Sequence, residues 1–346
     1  MTAILAVSAR HLTILNPSSR RYSDAALILF SKSCSQLRAE LDEPLTLENR
    51  DARLATSILL HYLSWCDVEF LGPWRGAHDR RHRHGRRDDD VAPDLARDPI
   101  LLLGNGMRHV RFLSWQLPDL EDSLFGRLLA TRKCCSMRSL IEGSEQSYRA
   151  LRERIMGLYH DPRLGGSGRR TTPPRADEGP LPEDGLPSNF SGVLPAPCSQ
   201  YCSSTHIPQL LALRAIDNGE RTPASRMLYN RLSFEVAVER LAILVFAARL
   251  HELGGDLAIA TRERDELERS VLSFPLLCFG PFCELVAAGD ARALAVLYLM
   301  YRSAGILMEG ARCPWWAAER IAVMRPLLGG ELRRRGLLAL VEDICE

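Results

Sequence analysis

Lysine is almost missing from this 346-residue chain: of its 44 basic residues only Lys32 and Lys133 are lysines, and the rest are arginine. Arginine's planar fork suits phosphate and carboxylate, but the abundance of Ala and Leu fits the plainer reading of a GC-rich coding sequence. A net charge of +1 removes any global electrostatic case for a nucleic acid or a membrane surface. Long apolar runs are lacking as well. The longest, residues 241–248 and 293–301, are each closed on both sides by arginine and fall far short of the roughly 20 residues that span a bilayer. No alternating β-branched runs occur, which argues against a sheet. No secretory signal opens the chain, and its ten cysteines show no pairing logic. Cys34, Cys66, Cys278 and Cys283 fall in apolar helical patterns, where the thiol acts as a small hydrophobe, so a reducing intracellular compartment is expected.

What the chain does have is helical periodicity. It opens inside a helix, with Ile4, Leu5, Val7, Ala9, His11, Leu12 and Leu15 following Met1 without a lead-in, which raises the expectation of further sequence upstream. Asn16-Pro17-Ser18-Ser19 is a turn. A second helix is expected over 22–41 and a third after Pro44, with Asn49 as its cap and Leu54, Ile58, Leu59, Tyr62 and Trp65 as its stripe. Residues 72–98 are charged and aperiodic and read as a mobile insertion. Helical patterning returns near Ile100 and runs to about Leu158. Residues 161–205 are rich in Pro, Gly and Ser and read as a disordered linker. Beyond it, Thr222-Pro223 supplies an N-cap followed by proline at the first helical position. The helix it starts runs to Gly254-Gly255, about 45 Å at 1.5 Å per residue. A shorter charged helix over 256–270 follows. The run 273–321 then joins a Phe/Pro/Cys-rich entry, a nearly all-apolar helix and Trp315-Trp316, and a last helix is expected over 330–344.

Chemistry-bearing motifs are scarce. There is no Gly-x-Ser-x-Gly elbow, no His-Glu-x-x-His, and no phosphate loop, since the glycines at 165–168 lack a following lysine. Gly104-Asn105-Gly106 lacks the third glycine and the preceding strand of a dinucleotide fingerprint. His78, His82 and His84 followed by Asp88, Asp89 and Asp90 have zinc or nickel ligand chemistry, against the plainer reading of a solvated insertion. Cys198 and Cys202 have no partner pair nearby. The basic run 80–87 is offset at once by three aspartates, and 333–335 is short. Neither interleaves aromatic residues as a nucleic-acid footprint would.

The residues ILAVSARHLTILNPSSRRYSDAALILFSKSCSQLRAELDEPLTLENRDARLATSILLHYLSW, 4–65, resemble the opening of the regulatory domain of fungal zinc-cluster transcription factors. The likeness rests on Ser8-Ala9-Arg10-His11-Leu12, on the helix opening with Tyr22 and on the helix 49–60. Phe274-Pro275-Leu276, the apolar helix 293–301 and Trp315-Trp316 resemble the sterol-uptake-regulator branch of that family. Packing signatures of this kind specify family better than activity. The family's DNA-binding module needs six thiolates within about 30 residues to hold two zinc ions, because so small a unit has no core without metal. Cys134-Cys135, Cys198/Cys202 and Cys278/Cys283 have the wrong number and spacing.

The resulting expectations are these. The fold is all-α, a helical-hairpin array around one long central helix, with two disordered insertions. Residues 1–160 form an N-terminal half, 161–205 a linker and 206–346 a C-terminal half. The resemblance implies a nuclear transcription regulator, of metabolic or secondary-metabolite genes, that works through regulator or transcription-machinery proteins and reads no DNA sequence itself. The alternatives are a helical enzyme or accessory protein of a biosynthetic pathway, or a regulator remnant without function. No cofactor, metal or catalytic residue is expected. Phe274, Phe279, Phe282, Leu297, Met300, Tyr301, Trp315 and Trp316 would line any pocket for an apolar effector, against the simpler reading that they fill the core.

Overall fold

Three helices open the chain, and the first of them is short of inward-facing large side chains. In the computed structural model, which describes residues 1–71, 94–103, 110, 138–165, 222–253, 261–277, 282–308 and 313–346, these are α1 (Thr2–Leu15), α2 (Arg20–Leu41) and α3 (Leu47–Cys66). The inward face of α1 is Ala3, Ala6 and Ala9, and small residues let α2 and α3 approach closely. Asn16–Ser19 turns the chain between α1 and α2, as their sequence suggests. The cap of α3 differs from the expectation. Thr46 is the N-cap, its hydroxyl accepting from the Asn49 N–H, while the Asn49 side chain accepts from the Thr46 N–H. Asn49 therefore closes a reciprocal capping box from the third helical position.

After the first three helices come α4 (Arg138–Ile141), α5 (Glu145–His160) and α6 (Pro162–Gly165). The central element is α7 (Pro223–Glu252), 30 residues long, started as its sequence announces by Thr222, whose hydroxyl accepts from the Ser225 N–H. Around it pack α5, α8 (Thr261–Leu277), α9 (Phe282–Ala287) and α10 (Ala291–Leu307). α8 continues past the expected end at 270 and carries Pro275 within it. α10 starts on Asp290, which accepts from the N–H groups of Arg292 and Ala293. On its far side lies α11 (Ala318–Arg334), at a contact where Gly329 meets the Tyr298 ring; a Cβ there would stand 3.1 Å from the ring. The last helix expected over 330–344 is two helices. α11 ends at Arg334, Gly336 turns the chain at φ 71°, and α12 (Leu338–Asp343) follows. A left-handed residue cannot continue a helix, and glycine takes it without strain.

The fold is all-α; among the described residues there are twelve helices and no strand. One apolar core holds Trp65, Ile155, Phe234, Leu241, Phe274, Met300, Trp316 and Leu328 together, so both halves of the chain contribute to it. The two expected insertions lie largely outside the described residues, as do His78 to Asp90, Gly104-Asn105-Gly106, Cys198 and Cys202. Their edges need correction. Leu95–Arg97 form a 3-10 turn with Leu95 and Asp98 buried, and Leu164 of α6 is buried too. An apolar anchor and a buried charge partner order these residues, although their neighbours read as solvated.

Candidate functional site: an arginine-capped aromatic hub

A helix ends with carbonyls that have no partner of their own. The end of α3 is buried, so those carbonyls must find donors in the protein. Two arginines from opposite ends of the chain supply them. Arg320 of α11 donates from Nε to the Trp65 carbonyl at 3.0 Å, and from Nη2 to the carbonyls of Ser64, at 2.8 Å, and Asp67. Arg10 of α1 donates to the Cys66 carbonyl at 2.6 Å and to Glu319 at 3.1 Å. Positive charge at a helix C-terminus also complements the helix dipole.

Arg320 is fully buried, so its charge needs a counter-ion. Asp98 provides it, its two carboxylate oxygens accepting from Nη1 at 3.0 and 2.8 Å. Asp98 Oδ1 also accepts from the Ile100 N–H at 2.9 Å. The five N–H groups of the guanidinium thus meet five oxygens. Burial alone would weaken the guanidinium's hold on its proton, but Asp98 and the Tyr301 oxygen outweigh it and raise the proton affinity above the ordinary value. The same cation lies over the rings of Trp65, at 6.0 Å, and Phe70, at 5.3 Å.

Aromatic rings close round this cation. Trp65 meets Trp316 edge-on at 5.2 Å and Tyr301 at 6.2 Å, while Tyr62 meets Trp316 at 5.8 Å and His11 meets Trp315 at 5.1 Å. The Trp316 indole N–H donates to Glu268 of α8 at 3.2 Å. His61 sits one turn before Trp65, and both reach the Leu272 carbonyl, at 2.6 Å from His61 Nε2 and 3.1 Å from the indole nitrogen. That carbonyl lies three residues before Pro275, in the turn where proline disrupts the ladder. A carbonyl only accepts, so the short contact places the ring proton on Nε2. His61 Nδ1 is then buried with no partner.

These surroundings set the protonation states of the hub at neutral pH. Burial holds the His61 imidazole down, to about 4, and so neutral. Burial pushes the Cys66 thiol up to about 11, and its S–H points at the Trp316 carbonyl at 3.7 Å. Tyr301 is pushed up to about 12, again by burial, and stays a neutral phenol. Cys66 and Tyr301 are thus held in their protonated forms and His61 in its neutral form, and the cation is fully hydrogen-bonded. The arrangement joins α1, α3, α8, α10 and α11; what it offers chemically is attachment.

Of the residues expected to line a pocket, Phe274, Phe282, Leu297, Met300, Tyr301 and Trp316 are buried in the one core. Tyr301 and Trp316 belong to the hub. Phe282 packs elsewhere, its ring 6.3 Å from Phe234. Trp315 is half-buried at the rim against His11, and Phe279 lies outside the described residues. Arg320, Asp98 and His61 were not singled out by sequence reasoning, while Trp65 was expected only in the stripe of its helix and Arg10 only in the signature of the resemblance. One signal was present: Arg320 falls at a core position of the α11 stripe formed by Ala317, Ile321, Met324 and Leu328, where an unpaired charge would be untenable. Among the described residues, no group of three or more His, Cys, Asp or Glu is gathered as for a metal ion, and no helix is long and apolar enough to cross a membrane. Set against family models, curated proteins and solved structures, the chain matches none.

Proposed function

We propose that this chain is the helical regulatory domain of a transcription regulator, acting in the nucleus on metabolic or secondary-metabolite genes through protein partners. The cysteines of this sequence lack the number and spacing of the family's zinc cluster, and an apolar effector is the ligand class that fits a regulatory domain of this kind. One observation supports it most. The two stretches that resemble the fungal zinc-cluster regulators lie some 250 residues apart, and their signature residues meet in the hub. Arg10 and His11 of the first contact Cys66, Glu319 and Trp315, and Trp65, five residues past the 49–60 motif, meets Trp316 edge-on. Packing signatures that meet are what a shared regulatory fold requires.

The test is to tether the whole chain to a heterologous sequence-specific DNA-binding module in fungal cells and read a reporter with matching sites. Reporter output is expected to change several-fold in either direction, and to return to baseline with Arg320→Met. A nuclear, well-expressed fusion that leaves the reporter untouched would overturn the proposal and return attention to a biosynthetic accessory role or a remnant.

A further inference from the structure

The first helix is packed with its sizes reversed. Its small residues Ala3, Ala6 and Ala9 point inward, while Met1, Ile4, Leu12 and Leu15 point out, exposed at 88, 53, 37 and 61 %. Large aliphatic side chains normally take the inward face of a surface helix. A continuous outward stripe of them marks a surface that something covers.

The stripe is symmetric along the helix. Met1, Ile4, Ser8, Leu12 and Leu15 follow at intervals of three, four, four and three residues, so all five lie on one helical face. Read in either direction the order is large, large, small, large, large. Two such helices laid antiparallel would oppose Met1 to Leu15, Ile4 to Leu12, and Ser8 to itself on the two-fold axis. That reciprocity is what an isologous interface demands of a single patch. Ser8 suits the axis, because it is small and its hydroxyl is turned back onto the Ile4 carbonyl at 3.0 Å. The stripe itself bears no charged side chain. The one arginine of α1, Arg10, faces inward to Cys66 and Glu319, so two copies meet without like-charge repulsion.

The size agrees. The stripe with Leu5 beside it exposes on the order of 500 Å², enough for the apolar part of a standard interface. A standard interface buries about 800 Å² per partner, rather more than half of it apolar.

We infer that the α1 face binds a second copy of this chain, forming a two-fold, antiparallel α1–α1 dimer. The inference stands apart from the regulatory reading. Light scattering and sedimentation equilibrium on the full chain, from roughly 1 to 100 μM where interfaces of this size associate, should show a monomer–dimer equilibrium. Ile4→Glu should raise the dissociation constant at least 100-fold, with circular dichroism and Tm unchanged. Ile4→Glu/Leu12→Glu should be monomeric as well, whereas Ile4→Glu/Leu12→Lys should restore the dimer, because the antiparallel register opposes positions 4 and 12. Leu253→Glu, at an exposed leucine just past the end of α7, should leave it intact. If Ile4→Glu lowers Tm, Leu15→Glu at the helix end reads the same contact. A wild-type chain that stays monomeric over the range, or a dimer indifferent to these glutamates, overturns the inference. Failure of the Glu/Lys pair to rescue overturns the two-fold register.

Discussion

At the scale of single residues, Arg320 and His61, two of the buried ionisable groups of the hub, act in opposite ways. Arg320 is stable only as a cation with its partners, and His61 only as a neutral ring. Removing Asp98 would strand a buried guanidinium, and removing Arg320 would strand a buried carboxylate and three carbonyls. Breaking a buried pair from one side typically costs about 3–5 kcal/mol. Asp98→Asn and Arg320→Met are each expected to lose that much in urea unfolding, and Arg320→Met/Asp98→Leu less than the sum of its singles. Strict additivity would mean that the two groups do not act on each other. For His61 the sign follows from its depressed value. Between pH 6.5 and about 4 the unfolded chain takes up a proton that the folded chain refuses, so stability falls as pH falls through that window. The loss attributable to this residue from pH 7.5 to 4.5 is roughly 2–3 kcal/mol. His61→Gln, which cannot titrate, should therefore flatten the curve of unfolding free energy against pH. Curves that run parallel to wild type would refute this role for His61.

At the scale of elements, the sequence is most legible where a signal is local. Thr222-Pro223 marks the start of α7, and the apolar runs 241–248 and 293–301 fall in the C-terminal part of α7 and the N-terminal part of α10. Local signals also mislead when two compete. Thr46 and Asn49 can both cap a helix, and which of them ends outside it depends on the turn that follows Pro44. Periodicity located α1 but not its orientation, because apolar residues lie on both of its faces and only the close approach of α2 selects the alanines. The last helix was read through Gly336, since Arg and Leu patterning continues across it. The pocket residues show the same division. Their burial was foreseeable from composition, whereas the splitting of Phe282 from Tyr301 and Trp316 depends on how α9 and α10 pack. The hub itself joins Asp98 to Arg320 across 222 positions, and in a chain so rich in arginine no residue-type signal singles out the buried one.

At the scale of the whole molecule, the expected division into halves at 160 and 206 meets a core that crosses it. α5 packs on α7, and the buried side chains of α3, α5, α7, α10 and α11 form one cluster. The Arg320 clamp ties the end of α3 to α11 by hydrogen bonds that have no substitute if either side leaves. Two halves that share a core should unfold together. Urea unfolding followed by far-ultraviolet circular dichroism and by tryptophan fluorescence, to which Trp65, Trp315 and Trp316 report from the hub, should give coincident transitions. Arg320→Met should shift both to lower urea by the same amount. A protease site placed within 166–221 and cleaved in the native protein should yield two fragments that co-elute, because the contacts between α5 and α7 do not depend on the connecting peptide. Two separated transitions, or fragments that part on a sizing column without denaturant, would mean that the halves are independent domains and that the clamp only decorates their boundary.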